Sequence, residues 1–158
     1  MLLGGMMDPF SHMLVTGLLI DRQPKTMLAC LGPDLPWYVL YPAWLLSRRG
    51  VGKALQSGEW PLPPRWMRQM HYCTHSLLTL ALGALILGPR DAEGRKLFGA
   101  WLLHILLDIP THSRRRMATP IFWPLSRWAF DGLSWADQTA HIVATLVRGV
   151  RRTLRPVG

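Results

Sequence analysis

The sequence predicts an all-α protein, one compact helical bundle over residues 1–158 that is embedded in or lies against a membrane. Three observations point there. Apolar residues recur at helical spacing in runs separated by proline- and glycine-rich breaks. Hydrophobic residues make up 49% of the chain against 17% charged, and the mean hydropathy of +0.14 is high for a soluble protein. Ionisable side chains also stand inside the most apolar runs, where an unpaired polar group is costly. A chain of 158 residues is long enough for one domain with a real core and too short for two comfortable ones.

The first ten residues show no basic region and no cleavage pattern, so no secretory signal is read there. Asp8-Pro9 resembles a helix cap followed by proline in the first turn, with His12, Val15 and Leu19 following at helical spacing. A second apolar segment starts near Thr26 and breaks at Gly32-Pro33-Asp34-Leu35-Pro36, which forces a turn carrying Asp34. A very aromatic, helix-compatible run follows over 37–46, bent by Pro42. Residues 47–64 are rich in glycine, proline and charge and read as an irregular connector.

His71 and His75 are four apart, in what reads as the first turns of the apolar helix over 77–87, so one face presents both imidazoles. Residues 90–96 read as a charged turn. The next helix holds Trp101-Leu-Leu-His104-Ile-Leu-Leu-Asp108-Ile-Pro-Thr-His112. His104 and Asp108 share a face one turn apart, and Pro110 is expected to end or kink the helix at Ile109, letting His112 turn back. Ser134 and Asp137 open a last amphipathic helix whose apolar face excludes His141 from the candidate ligands and whose end carries Arg148, Arg151, Arg152 and Arg155.

Imidazole and carboxylate at one-turn spacing suit zinc or a similar divalent ion. A lone His-x-x-x-Asp can equally be a buried pair, and the metal reading gains weight only from the other candidates, His12, Asp34, His71, His75 and His112. The cluster Arg114, Arg115 and Arg116 beside His112 is either a solvated loop or a phosphate-binding rim, since guanidinium matches phosphate oxygens two at a time. The two cysteines, Cys30 and Cys73, exclude a disulfide scaffold and are expected reduced and buried. A net charge of +9 suits nucleic acid or anionic lipid; without a nucleic-acid motif, and with basic residues in nearly every connector, a specific nucleic-acid partner is not expected. The apolar runs over 77–87 and 97–109 fall short of the ~20 residues needed to cross a bilayer. The eight tryptophans fit an interfacial position or, equally, the filling of a core.

Leu-Gly-Pro33-Asp34-Leu, Thr74-His75-Ser76-Leu-Leu and His104-Ile-Leu-Leu-Asp108, followed by Trp123-Pro124, resemble the ordered motifs of the bacterial membrane-bound metal-dependent hydrolase family over roughly residues 10–135. That family is similar to zinc-dependent phospholipase C and the single-strand-specific zinc nucleases. The resemblance implies an α-helical fold with a metal cluster between helices, a place at the bacterial cytoplasmic membrane and phosphoester hydrolysis. It matches Asp34, His75, His104 and Asp108 to the family's motif positions, with His12 as its usual amino-terminal histidine and Asp34 as the candidate for a catalytic role. It further implies one or more Zn²⁺ ions making hydroxide from bound water, membrane lipid as partner and a phosphoester such as a phospholipid as substrate. The chain departs from the pattern in three places. Pro36 stands where a second acid is common, His71 is one place off the family's His-Arg, and His112 follows Asp108 more closely than in the secreted relatives. The loss of the acid at Pro36 favours the competing expectation, a non-catalytic membrane protein with a structural or degenerate metal site.

Overall fold

The computed structural model describes residues 9–48, 52, 61–114 and 117–133. Among them there are six α-helices and no strand. Asp8, Arg115, Arg116 and the expected last helix with His141 lie outside the described residues.

Proline at the first turn opens α1 (Pro9–Leu19) and α2 (Pro24–Ala29), where its missing N–H costs nothing. α1 turns His12, Thr16 and Gly17 inward and leaves Phe10, Leu14 and Leu18 exposed. A 3-10 turn (Gly32–Asp34) leads directly into α3 (Leu35–Ser47). Gly32 allows that turn to approach α6 (Ala92–Thr111), because a Cβ there would stand 3.2 Å from the Trp101 ring. Pro42 lies inside α3. Stacked Trp37 and Tyr41 (4.7 Å between centroids), Leu45 and Met67 form an apolar core between α3 and α4 (Arg65–Thr74).

The histidine pair is placed differently from the sequence expectation. His71 lies in the last turn of α4, His75 is that helix's C-cap, and the apolar helix α5 (Leu77–Leu87) starts anew after a 60° bend. Ser76 causes the break: its hydroxyl accepts from the N–H groups of Leu78 (3.2 Å) and Thr79 (3.4 Å), capping α5, and donates to the Trp123 carbonyl at 2.6 Å. α5 ends at Gly88, whose φ of 51° favours glycine. Asp91 then caps α6 through the Gly94 N–H at 2.6 Å, so most of the expected charged turn is already helix.

α6 also runs through Pro110 to Thr111 rather than ending at Ile109. The end is secured from outside: Leu133 and Gly132 donate backbone N–H groups to the Pro110 and His112 carbonyls, both at 2.9 Å. α6 packs against α1, α2, α5 and the 3-10 turn, and α4 packs against α3, α5 and the same turn, so Asp34 sits where both long packings meet. Cys30 is buried as expected, but Cys73 is exposed, because α4 turns Met67 and His71 inward and leaves Cys73 on another face. No single described helix is long and apolar enough to cross a membrane; only the bent pair α4–α5 reaches the length and composition together.

Candidate metal centre

The interior is polar where a protein of this composition would bury leucine. His12, Asp34, His75, His104 and Asp108 are fully buried, His112 is 1% exposed and His71 3%. All seven candidates from the sequence therefore come together, drawn from α1, the 3-10 turn, α4 and its cap, and α6 with its cap. Four of them, Asp34, His75, His104 and Asp108, each offer one ligand atom within 4.8 Å of all the others, a group that could hold a metal ion.

The spacing inside that group is informative. His75 Nε2 lies 3.2 Å from His104 Nε2, 3.3 Å from Asp34 Oδ1 and 3.1 Å from Asp108 Oδ2. His104 Nε2 lies 3.3 Å from Asp108 Oδ2 and 3.6 Å from Asp34 Oδ2. Ligand bonds of about 2.0–2.1 Å in a tetrahedron give edges of roughly 3.3–3.4 Å. The His75, His104 and Asp108 atoms stand at such edges, and Asp34 brings one oxygen toward each histidine, so the donor set suits a divalent ion in its chemistry and its closeness.

Hydrogen bonding around the group supports the same reading. His75 Nδ1 bonds the His71 carbonyl at 2.9 Å, with the Thr74 hydroxyl 3.1 Å away, which aims Nε2 at the centre. The Thr74 carbonyl in turn accepts from the Trp101 indole at 2.9 Å, tying α4 to α6. Tyr38 donates its hydroxyl to Asp34 Oδ2 at 3.2 Å. Asp34 Oδ1, both Asp108 oxygens and His104 Nδ1 are nevertheless buried with no hydrogen-bond partner. Histidine Nε2 atoms stand 3.1–3.3 Å from these carboxylate oxygens, so either a proton on a facing histidine or a bound cation would offset the cost of burying two carboxylates.

Three further histidines surround the four. His12 stacks on His104 at 4.0 Å and brings Nε2 to 3.2 Å from Asp108 Oδ1. His112 turns back as expected, its Nδ1 bonded to the Asp108 carbonyl at 3.1 Å, with Nε2 unpartnered. His71 lies over His75 at 3.8 Å and neither of its nitrogens has a partner. Burial holds the pKa of His104 and His112 down, and that of His71 well down, with repulsion from His75 and His112 adding to the effect at His71. For His75, burial also opposes charge, but the Asp108 and Asp34 carboxylates outweigh it and push the pKa up to about 10. Burial likewise raises Asp108, and the facing histidines, His112 first, more than reverse it. With no ion in place, one proton on His75 acts as the centre's counter-charge.

Arg114 is exposed, and its backbone N–H bonds Asp131 Oδ1 at 2.8 Å. Tyr38 and Arg68 were not singled out in the sequence. Tyr38 stands one turn after Asp34, a spacing that was legible; Arg68 becomes visible only once α4 is seen to begin at Arg65. No protein family, curated protein or solved structure matches this chain.

Proposed function

We propose that the protein is a membrane-associated, metal-dependent hydrolase of phosphoesters, with zinc as the ion. The observation that carries this is the burial of Asp34, His75, His104 and Asp108 together, each with a ligand atom within 4.8 Å of the others. The motif resemblance set out above supports the same class. An ion held there would supply Lewis acidity and lower the pKa of bound water to near 7. The chain's own residues divide the remaining work. His75 and His104 present Nε2 to the centre, the first fixed by its backbone bond. Asp34, which accepts a hydrogen bond from Tyr38, would take the proton of the attacking water and return it to the leaving alkoxide as the phosphorus–oxygen ester bond breaks. Arg114, and Arg115 and Arg116 by their place in the sequence, are the candidates to bind the phosphate.

The apolar exterior supports membrane association. Leu82, Leu85, Ile86 and Leu87 of α5 are 56–81% exposed, as are Phe10, Leu14 and Leu18 of α1 at 61–79%, and exposed large apolar side chains grouped on a helix mark candidate lipid-facing surface. A bacterial cytoplasmic membrane and a phospholipid or other membrane-proximal phosphoester fit that surface. A second reading, a structural ion in a non-catalytic membrane protein, is favoured by the complete burial of the four side chains.

One experiment separates the two readings. Protein purified in detergent without chelator is analysed for metal and assayed on bis(p-nitrophenyl) phosphate and p-nitrophenyl phosphorylcholine. Hydrolysis that chelation abolishes and zinc restores is expected. Stoichiometric metal without turnover of either ester would establish the structural reading instead.

A further inference from the structure

A second group of arginines, far from His112 in sequence, meets across the fold. Arg65, Arg68, Gln69 and Tyr72 recur along α4 at helical spacing and line a cavity of about 190 Å³, closed opposite by Trp123 and Arg127. A second cavity of about 170 Å³ shares Arg68 and Tyr72 with the first and adds His71 and Arg114. Both are below the ~300 Å³ at which sites for drug-sized ligands begin, so each suits a headgroup-sized moiety rather than a whole lipid.

The walls are built and basic. Arg127 stacks over the Trp123 ring at 5.6 Å, and Trp123 is held to the α4–α5 break by the 2.6 Å bond from Ser76 to its carbonyl. Arg65 and Arg68 lie one turn apart, a like-charge arrangement that disfavours the helix. Among the described residues no carboxylate pairs with Arg65, Arg68 or Arg127, and Arg68 Nε is buried with no hydrogen-bond partner. His71, 3% exposed and with both nitrogens unpartnered, lines the second cavity and also packs against His75.

We propose that the groove between α4 and the 117–127 segment is a phosphate-binding subsite, with Arg65, Arg68 and Arg127 as its cationic donors. Arginines lining one cavity from two elements can match the oxygens of a phosphate, and the seat takes either a free phosphate or the phosphate of a lipid headgroup. The inference rests on the hydrolase reading for what the phosphate belongs to, not for its binding.

The test measures binding of inorganic phosphate by calorimetry, and of phosphatidylcholine vesicles with and without phosphatidic acid, using the full chain before and after chelation. Arg68→Gln and Arg127→Gln should each weaken binding of the phosphate-bearing probe at least about tenfold while metal content stays unchanged. Arg68→Lys should restore part of it, and Arg22→Gln, at an exposed position outside the groove, should change nothing. Arg127 lies outside the helices, so its variant also serves if Arg68→Gln fails to fold. Arginine-dependent binding of inorganic phosphate identifies a free-phosphate seat; arginine-dependent binding of phosphatidic acid vesicles alone identifies a headgroup seat. Binding that survives chelation but not the arginine variants upholds the subsite even if no ester is hydrolysed. Unchanged binding in both variants, or binding that chelation alone removes, overturns it and leaves the metal reading untouched.

Discussion

α5 and α6 are neighbours in the chain and in space, and both read as apolar helices, yet they take opposite places. α5 is the more uniformly hydrophobic and buries no residue; α6 carries His104 and Asp108 and buries both, with Ala100 and Ile105. In a protein organised by the hydrophobic effect alone the order would be reversed. The inward position goes to the helix whose polar groups must be compensated, and the uniformly apolar helix is left to face outward. That inversion is intelligible if the centre holds a cation and the outside meets lipid.

The sharpest way to break the comparison is to remove a polar group from α6. His104→Ala should lower bound metal and thermal stability together. At free metal a hundredfold above its dissociation constant the lost linkage is ~2.7 kcal/mol, or roughly 5–10 °C in a chain of this size. Asp108→Asn should act in the same direction but less, since the amide keeps the shape and loses the charge. If both variants melt lower but wild-type stability ignores added zinc, the pair is an ordinary buried one.

A smaller effect is expected where the last turn of α6 is secured from outside. A Cβ on Gly132 would stand 2.3 Å from the Pro110 oxygen and 2.9 Å from the His112 oxygen, both backbone atoms. Gly132→Ala must therefore push the segment off the helix end, at a cost of about 1–3 kcal/mol. A denaturant midpoint within error of wild type would show that this contact does not hold His112.

The pH dependence follows from His75. Its folded pKa of about 10 lies above the ordinary 6.5, so without metal it is charged at pH 7; the stability this gives is complete below about 6.5 and is lost as pH rises through 10. An ion takes the same Nε2 lone pair and must displace that proton. Metal affinity should therefore rise with pH, about tenfold per unit for one proton below pH 10, with close to one proton from His75 released per ion at pH 7. Calorimetry in buffers of different ionisation enthalpy measures that number, and a value near zero would contradict the site's charge balance.

The smallest effect on stability is expected on α5. Leu85→Glu, at a side chain 81% exposed, should leave the melting temperature within about 2 °C, since surface changes cost at most ~0.5 kcal/mol, yet reduce binding to phospholipid vesicles. Equal vesicle binding would remove α5 from the membrane-facing surface.

Much of the centre was legible because its residues announce themselves chemically. A histidine and an aspartate one turn apart in a leucine-rich run need a partner wherever they fold, and Asp34 in a Gly/Pro turn sits at a place the chain must reverse. The break at Ser76 was not legible: serine caps a helix or rides along one, and only its bond to Trp123, 47 residues away, decides between the two. The passage of α6 through Pro110 depends on Gly132 and Leu133 in the same way. The arginine groove was missed because the run Arg114-Arg115-Arg116 is conspicuous in sequence, whereas Arg65, Arg68 and Arg127 meet only when α4 and the 117–127 segment pack together.

The central claim, that an ion compensates the Asp34, His75, His104 and Asp108 group, is tested most directly by elemental analysis of protein purified without chelator, paired with its melting temperature before and after chelation. The account predicts at least one equivalent of metal per chain and a melting temperature that falls on chelation and recovers when zinc is returned. Metal-free protein whose melting temperature is indifferent to chelator and to zinc would contradict it.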